Sequence, residues 1–408
     1  MLRLYDTATH SARPLEPRDG WLGIYVCGIT PYDSAHLGHA FTYHVFDVVA
    51  RRLRAAGVRP RVVRNITDAD DDIFRVARER RVDHRQLVAE QVARFDAEIS
   101  SIGIADVDAV PAASENVPAM IDAIRRLEDA GFAYAREGWV YFDVDKFDRY
   151  GALSRLSREE MLVLGRERGA DPDDPRKDDP LDFVLWQPSL PDELAWESPW
   201  TPEGRPGWHI ECSVIAANYL PDGIDLHGGG ADLVFPHHEC EIAQAEAIGP
   251  RPFARHWAHV GMVRLDGTKM SKSLGNLVFT GDLVARAGAG AVRLLLNAHH
   301  WRSSWEFAAE DLADAAERLD RYRATISANA GLDPDAAAEL ERAYFERLDD
   351  DLDTAGALRV LDRIAVEAGT SPARPGAVRA AALVPRLLDV VGVAFAVDAR
   401  TTVLTTPD

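Results

Sequence analysis

The sequence predicts an α/β fold: a doubly wound parallel sheet with an inserted subdomain, followed by a C-terminal helical bundle. Three observations predict it. Apolar, β-branched runs alternate with helical patterns before residue 105 and again after 205. Between about 105 and 205 that rhythm loosens into short strand-like runs among Pro- and Asp-rich loops. After about 281 almost every window has the apolar spacing of packed helices.

Taken in order, Trp21 to Cys27 (WLGIYVC) is apolar and reads as a buried strand that enters a loop. A helix is expected from about Gly38 to Ala56, closed by Gly57. Arg59 to Ile66 (RPRVVRNI) reads as the next parallel strand, with helices near 70–81 and 84–101. In the loosened stretch WVYFDV and LDFVLW read as short strands. The α/β order resumes with helix 208–220, strand 224–227, a glycine turn, helix 237–248 and strand 256–263. The expected division is a catalytic domain over 1–250 with its insertion at 105–205, a subdomain over 251–310, a bundle over 311–397 and a frayed tail over 398–408. Ligands of such a sheet gather at the carboxyl ends of its strands.

A chain of 408 residues with 47% hydrophobic and 27% charged residues reads as an ordinary globular protein. No apolar run approaches the ~20 residues of a membrane span. The start, Met1-Leu-Arg-Leu-Tyr-Asp, lacks the apolar segment of a secretory signal, so a cytoplasmic location is expected. A formal charge of −20 argues against a broad basic nucleic-acid surface, although a local positive groove can sit on an acidic protein. Cys27, Cys212 and Cys240 are too few and too scattered for a disulfide framework, leaving metal binding, catalysis or burial. Of 46 cationic residues only four are lysine: Lys146, Lys177, Lys269 and Lys272. In a chain that prefers arginine, each retained ammonium asks for a reason.

Three motifs carry chemistry. His36-Leu-Gly-His39 follows a strand and opens a helix, where free amides, a positive dipole end and two imidazoles suit phosphate. Two surface histidines at a helix start are the plain alternative. Lys269-Met-Ser-Lys272-Ser273 lies on a glycine-flanked loop, where flexible ammonium groups can close over departing pyrophosphate. Two of four lysines within one loop argue against a merely solvated pair. The third is dispersed: Cys27 at a strand end, Cys212 on a helix, and His237 and Glu241 spaced i, i+4 on another. Two thiolates, an imidazole and a carboxylate form a zinc-type donor set, although a buried free cysteine is ordinarily a small hydrophobe.

Together these residues resemble the cysteinyl-tRNA synthetase superfamily. Cys27-Gly-Ile-Thr-Pro-Tyr-Asp, HLGH, Arg64-Asn-Ile-Thr-Asp, Gly207-Trp-His-Ile-Glu-Cys212, Phe235-Pro-His-His-Glu and KMSKS all fall in that family's order. The resemblance is dense over 22–325 and looser over 340–395, and it implies a class I synthetase-type, Rossmann-like fold. Two branches compete: synthetases that charge tRNA, and ligases that join cysteine to the amine of glucosaminyl-inositol in mycothiol synthesis. The CGITPYD loop, the segment Glu167-Arg-Gly-Ala-Asp-Pro172 and the end of the chain after one bundle favour the ligase branch. Glu241 and His227 follow the synthetase pattern instead, and Ala170 departs from the ligase glycine.

The resemblance implies one Zn2+ per chain on Cys27, Cys212 and His237, with Glu241 left open, and ATP as co-substrate with Mg2+. It places cysteinyl-adenylate against Cys27, Gly28, Ile29, Thr30, Thr42, Asn65, Ile66, Thr67, Trp208, Gly230, Ala231, Asp232 and Val263. His36, His39, Lys269 and Lys272 would stabilise the charge spreading over the phosphates, and the metal would select the substrate thiol over a hydroxyl. Asp232 is the candidate base for an acceptor amine. The expected protein is a monomeric ligase acting on L-cysteine, ATP and glucosaminyl-inositol, with tRNA as acceptor only under the alternative. A catalytically silent binding protein is disfavoured by the intact motifs.

Overall fold

The computed structural model describes residues 1–32, 36–270, 275–369 and 373–395, with the Lys269 side chain excepted. A hairpin of β1 (Arg3–Asp6) and β2 (Ser11–Pro14) precedes β3 (Trp21–Ile29), α1 (Leu37–Ala55) and β4 (Arg59–Ile66). Helices α2 (Asp71–Arg80), α3 (His84–Ser101) and α4 (Val117–Asp129) follow. The insertion contributes β5 (Ala133–Arg136), β6 (Trp139–Phe142), α5 (Arg158–Glu167), β7 (Phe183–Pro188) and β8 (Gly204–Pro206). Its four strands form a separate antiparallel sheet in that order. Then come α6 (Trp208–Tyr219), β9 (Leu226–Gly230), α7 (Glu239–Ile248) and β10 (Trp257–Val260). A small sheet of β11 (Val263–Leu265), β12 (Thr268–Lys269) and β13 (Trp305–Glu306) surrounds α8 (Thr280–Ala287) and α9 (Ala289–Asn297) in sequence. Helices α10 (Ala309–Ser327), α11 (Pro334–Asp349), α12 (Thr354–Ala368) and α13 (Ala380–Val390) make the bundle.

The main sheet has four parallel strands in the order β10-β9-β3-β4. The chain steps from β3 to β4 on one side and later returns to β9 on the other. That reversal opens a crevice between the carboxyl ends of β3 and β9, the position where this architecture binds ligands. The helix from β3 to β4 is closed as its sequence requires. Gly57 takes φ +78°, and the Gly57 and Val58 amides donate back to Arg54 and Leu53, satisfying the last carbonyls of α1.

The α/β order stands as expected, but three local expectations are corrected. The strand expected over 224–227 begins at Leu226 and runs through Gly228 and Gly229 to Gly230, so those glycines are strand and not turn. A Cβ at Gly228 would lie 2.2 Å from the Phe46 ring of α1, which explains the need for glycine there. The strand expected over 256–263 is two strands in different sheets, broken at Gly261, where a Cβ would meet the Ser303 backbone at 2.4 Å. The helix expected from 237 begins as α7 at Glu239, after a wide turn over Val234–His238 in which Phe235 is extended.

One continuous apolar core joins α1 and the sheet to the bundle, from Leu22 and Phe41 through Leu294 to Leu361 and Leu387. At that junction Arg293 of α9 is fully buried. It donates to the Asp47 carboxylate of α1 and to the Ile102 and Gly103 carbonyls, so its charge is paired and its donors are used. Among the described residues no helix is long and apolar enough to cross a membrane. The tail expected to fray over 398–408 lies outside the described residues.

Candidate active site

A cleft of about 1260 Å³ opens at the switch point of the sheet. Cys27, Gly28, Ile29, Thr30, Gly230 and Asp232 line it from the strand ends, and His36, His39 and Thr42 line it from α1. Trp208 and Val263 complete the expected contacts on its wall. Gly28 is a close-approach position: a Cβ would fall 1.6 Å from the Asn65 carbonyl oxygen. The Gly28 amide donates to Asn65 Oδ1 at 2.7 Å, and Asn65 Nδ2 donates to Thr67 Oγ1 at 3.1 Å. Asn65 and Thr67 are therefore buried supports of the β3 loop and do not line the cleft. Ile66 has both backbone groups paired with the 111–113 segment, and Ala231 is exposed outside the lining.

At the base of the cleft, four donor atoms converge from four elements. Cys27 Sγ lies 3.7 Å from Cys212 Sγ of α6 and 3.5 Å from Glu241 Oε1 of α7. His237 Nε2, from the turn before α7, is 3.0 Å from Glu241 Oε1. The donor atoms of Cys27, Cys212, His237 and Glu241 all lie within 4.8 Å of one another, and all four residues are buried. Around tetrahedral zinc, bonds of ~2.3 Å to sulfur put two sulfurs ~3.8 Å apart, and bonds of ~2.0 Å to nitrogen and oxygen put those atoms ~3.3 Å apart. The sulfur–sulfur, Cys27–Glu241 and His237–Glu241 separations lie close to these values, so the donor set fits such an ion.

The electrostatics agree. Burial opposes ionisation of Cys212, but the hydrogen bond from Cys27 and the charge of His237 draw its thiol down to about 6. Burial also disfavours a charged His237, yet Glu241 and Cys212 raise it to about 10. Burial would raise Glu241, and His227 and His237 instead hold it well below the usual carboxylate range. Burial pushes the Cys27 thiol up, with Cys212 and Glu241 acting in the same direction. The cluster thus gathers negative charge around a proton on His237, and a dication supplies that positive charge better.

Sequence reasoning named His227 only as part of a pattern and missed His209, His238 and His259 behind these ligands. His227 Nε2 bonds Glu241 Oε2 at 2.8 Å, and His237 Nδ1 lies 2.9 Å from His209 Nδ1. His238 Nε2 reaches Cys27 Sγ at 3.2 Å, its Nδ1 pairs with His259 Nε2 at 2.7 Å, and His259 Nδ1 ends on Thr7 Oγ1 at 2.7 Å. Such outer partners orient ligands and set their tautomers. Only the density of histidines in the DLHGGG, FPHHE and WAHV segments could have signalled them. Trp208, expected to contact the adenylate, stacks on the His237 ring at 4.2 Å and is half-buried.

The HLGH segment caps α1 reciprocally. The Gly38 amide donates to His36 Nδ1 at 3.1 Å, the His36 amide donates to His39 Nδ1 at 3.4 Å, and the rings lie 4.0 Å apart. The Leu37 amide donates to the Val278 carbonyl at 2.8 Å. The expected free amides are therefore occupied, and what this terminus offers the cleft is its imidazoles and its dipole. Lys269 pairs through its backbone with Arg264 on β11, and the neighbouring Met270 lines the cleft. The Lys269 side chain and all of Lys272 lie outside the described residues.

A family model described as the class I (C) tRNA synthetase catalytic domain matches residues 14–317. The L-cysteine:1D-myo-inositol 2-amino-2-deoxy-alpha-D-glucopyranoside ligase of Thermomonospora curvata is 45% identical, over 93% of this chain and 92% of that protein. The protein of the same name from Frankia alni is 47% identical over 83% and 82%. Among solved structures, Mycobacterium tuberculosis methionyl-tRNA synthetase in complex with methionyl-adenylate aligns with a TM-score of 0.67 at 18% identity, over 86% and 82% of the two chains. The Agrobacterium radiobacter K84 agnB2 LeuRS in its ternary complex with tRNA-LeuAMS gives 0.67 at 12%, over 95% and 84%. At these identities the structural likeness speaks to the fold alone.

Proposed function

Because the chain belongs to the class I (C) tRNA synthetase catalytic-domain family, among ligases of the kind named above, we propose that it activates L-cysteine with ATP and passes the cysteinyl group to the amine of glucosaminyl-inositol. The observation that carries this reading is the Cys27, Cys212, His237 and Glu241 cluster at the base of a cleft whose rim holds His36 and His39. We place the reaction in the cytoplasm, with ATP bound as its Mg2+ complex.

In the first step the cysteine carboxylate attacks the α-phosphorus of ATP, a P–O bond forms, and the bond to pyrophosphate breaks. The imidazoles of His36 and His39, held rigidly by their mutual capping, face the charge that spreads over the phosphate oxygens. Lys269 and Lys272 neutralise the departing pyrophosphate. Cys27, Cys212 and His237, with Glu241 as fourth partner, would hold zinc, which when bound offers the substrate a coordination position that a thiol fills better than a hydroxyl. Trp208, stacked on the His237 ring, would wall the pocket for the substrate side chain. In the second step the acceptor amine attacks the adenylate carbonyl, a C–N bond forms, and AMP leaves with the C–O bond electrons. Asp232, which lines the cleft, would take the amine proton.

A second reading, charging of tRNA, draws support from His227 and Glu241, which follow the synthetase pattern and are bonded to each other. The test supplies ATP and cysteine with either glucosaminyl-inositol or tRNA and measures amide against charged tRNA. Amide formation that is nearly insensitive to moderate salt is expected, because a small acceptor carries no condensed counterions. Robust tRNA charging without amide would replace this reading with the second.

A further inference from the structure

Lys177 has no part in the site as described so far, although it is one of only four lysines in the chain. It lies between α5 and β7, a stretch that lines the cleft at Arg168, Ala170, Asp171, Asp174 and Lys177 itself. Arg168 fastens this stretch to the Asp232 carbonyl at the end of β9. Lys177 is half-buried, and among the described residues its ammonium makes no hydrogen bond or ion pair.

Two of the carboxylates around it, Asp174 and Asp182, are already taken. Asp174 accepts from Arg176 Nε at 2.8 Å, Arg176 Nη2 at 2.9 Å and Tyr141 Oη at 2.6 Å. Asp182 accepts from Tyr134 Oη at 2.7 Å and from the Val144 and Asp179 amides at 2.9 Å each. Asp171 accepts from the Asp173 amide at 3.0 Å. Burial pulls the Lys177 ammonium down from the usual lysine range, against the attraction of Asp174, Asp171 and Asp182. A partly desolvated ammonium without acceptors is costly, and a ligand that brings oxygen atoms removes the cost.

We propose that Lys177 is a specificity-determining residue for the acceptor, donating hydrogen bonds from its ammonium to the hydroxyl oxygens of a polyol bound in this arm of the cleft. Three rotatable donors suit hydroxyls of varied direction, where an arginine fork would demand a planar partner. A neutral polyol fits beside Lys177 better than a further anion, because Asp171, Asp174 and Asp182 lie close to the same ammonium. The inference rests on the aminosugar reading above and adds the residue that recognises the acceptor.

The test compares full-length wild type with Lys177→Met and Lys177→Arg, using glucosaminyl-inositol as acceptor. Cysteine-dependent ATP–pyrophosphate exchange reports folding and the first step, and is expected within about twofold of wild type in both variants, since neither removes an ATP or cysteine contact. Lys177→Met should raise the acceptor KM about ten- to a hundredfold, the loss typical of a charged hydrogen bond, with a smaller change in kcat. Lys177→Arg should fall between the two. An unchanged acceptor KM in Lys177→Met, or a parallel loss of exchange and amide synthesis, overturns the proposal. Wild-type protein that forms no amide overturns the underlying reading before any variant is compared.

Discussion

His227 Nε2 and Glu241 Oε2 are hydrogen-bonded at 2.8 Å in the interior, fourteen residues apart in sequence and both fully buried. The bond leaves Glu241 Oε1 turned toward His237 and Cys27, so His227 and Glu241 are one physical unit. Removing His227 should free Glu241 to rotate. His227→Ala is expected to weaken zinc binding about ten- to a hundredfold, the range for loss of such an outer partner, measured by chelator competition. Equal affinity in variant and wild type would leave Glu241 without a ligand role.

Metal content separates the three cysteines. Purified protein should carry one zinc per chain, and Cys212→Ala should lose it. Cys240 is adjacent to Glu241, yet its sulfur faces Tyr150 Oη at 3.5 Å and is absent from the donor cluster. Cys240→Ser should keep full zinc by elemental analysis. Full occupancy in both Cys27→Ala and Cys212→Ala would remove the assignment.

Lysine at position 272 is predicted to act on leaving pyrophosphate. Lys272→Ala should slow single-turnover adenylate formation by about two orders of magnitude, the loss typical of one transition-state donor. Cysteine binding, read by isothermal titration, should change little. An unaltered activation rate would refute the role.

Asp70 caps α2 by accepting from the Asp72 amide at 2.9 Å and lines the cleft. Burial, with Asp71 and Asp72 nearby, pushes its carboxyl up to about 6. A carboxyl raised above its unfolded value favours the protonated native state. Its ionisation therefore costs stability as pH rises from ~4 through 6, and the full cost is present above that. Asn can keep the cap without the charge. Asp70→Asn should stabilise the protein by roughly 1–2 kcal/mol at pH 7.5, allowing for solvent that reaches this half-buried group, and by little at pH 4. Thermal melts across that range read the effect, and a pH-independent difference would contradict it.

What the sequence by itself determined was local. The strand at Arg59–Ile66 and the Gly57 closure of α1 follow from periodicity and backbone preference, which need no partner to act. Ordered motifs likewise placed HLGH at a helix start before its geometry was known. Tertiary structure decided the rest. Gly228 has to be glycine because the Phe46 ring and the Ala258 carbonyl press on it, and 256–263 divides at Gly261 because Ser303 crosses there. The His227–Glu241 bond and the His238–His259–Thr7 chain join residues from different elements. Hydrogen bonding and desolvation act through space, so which buried polar groups find partners, and which are left for a ligand, appears only when the elements pack.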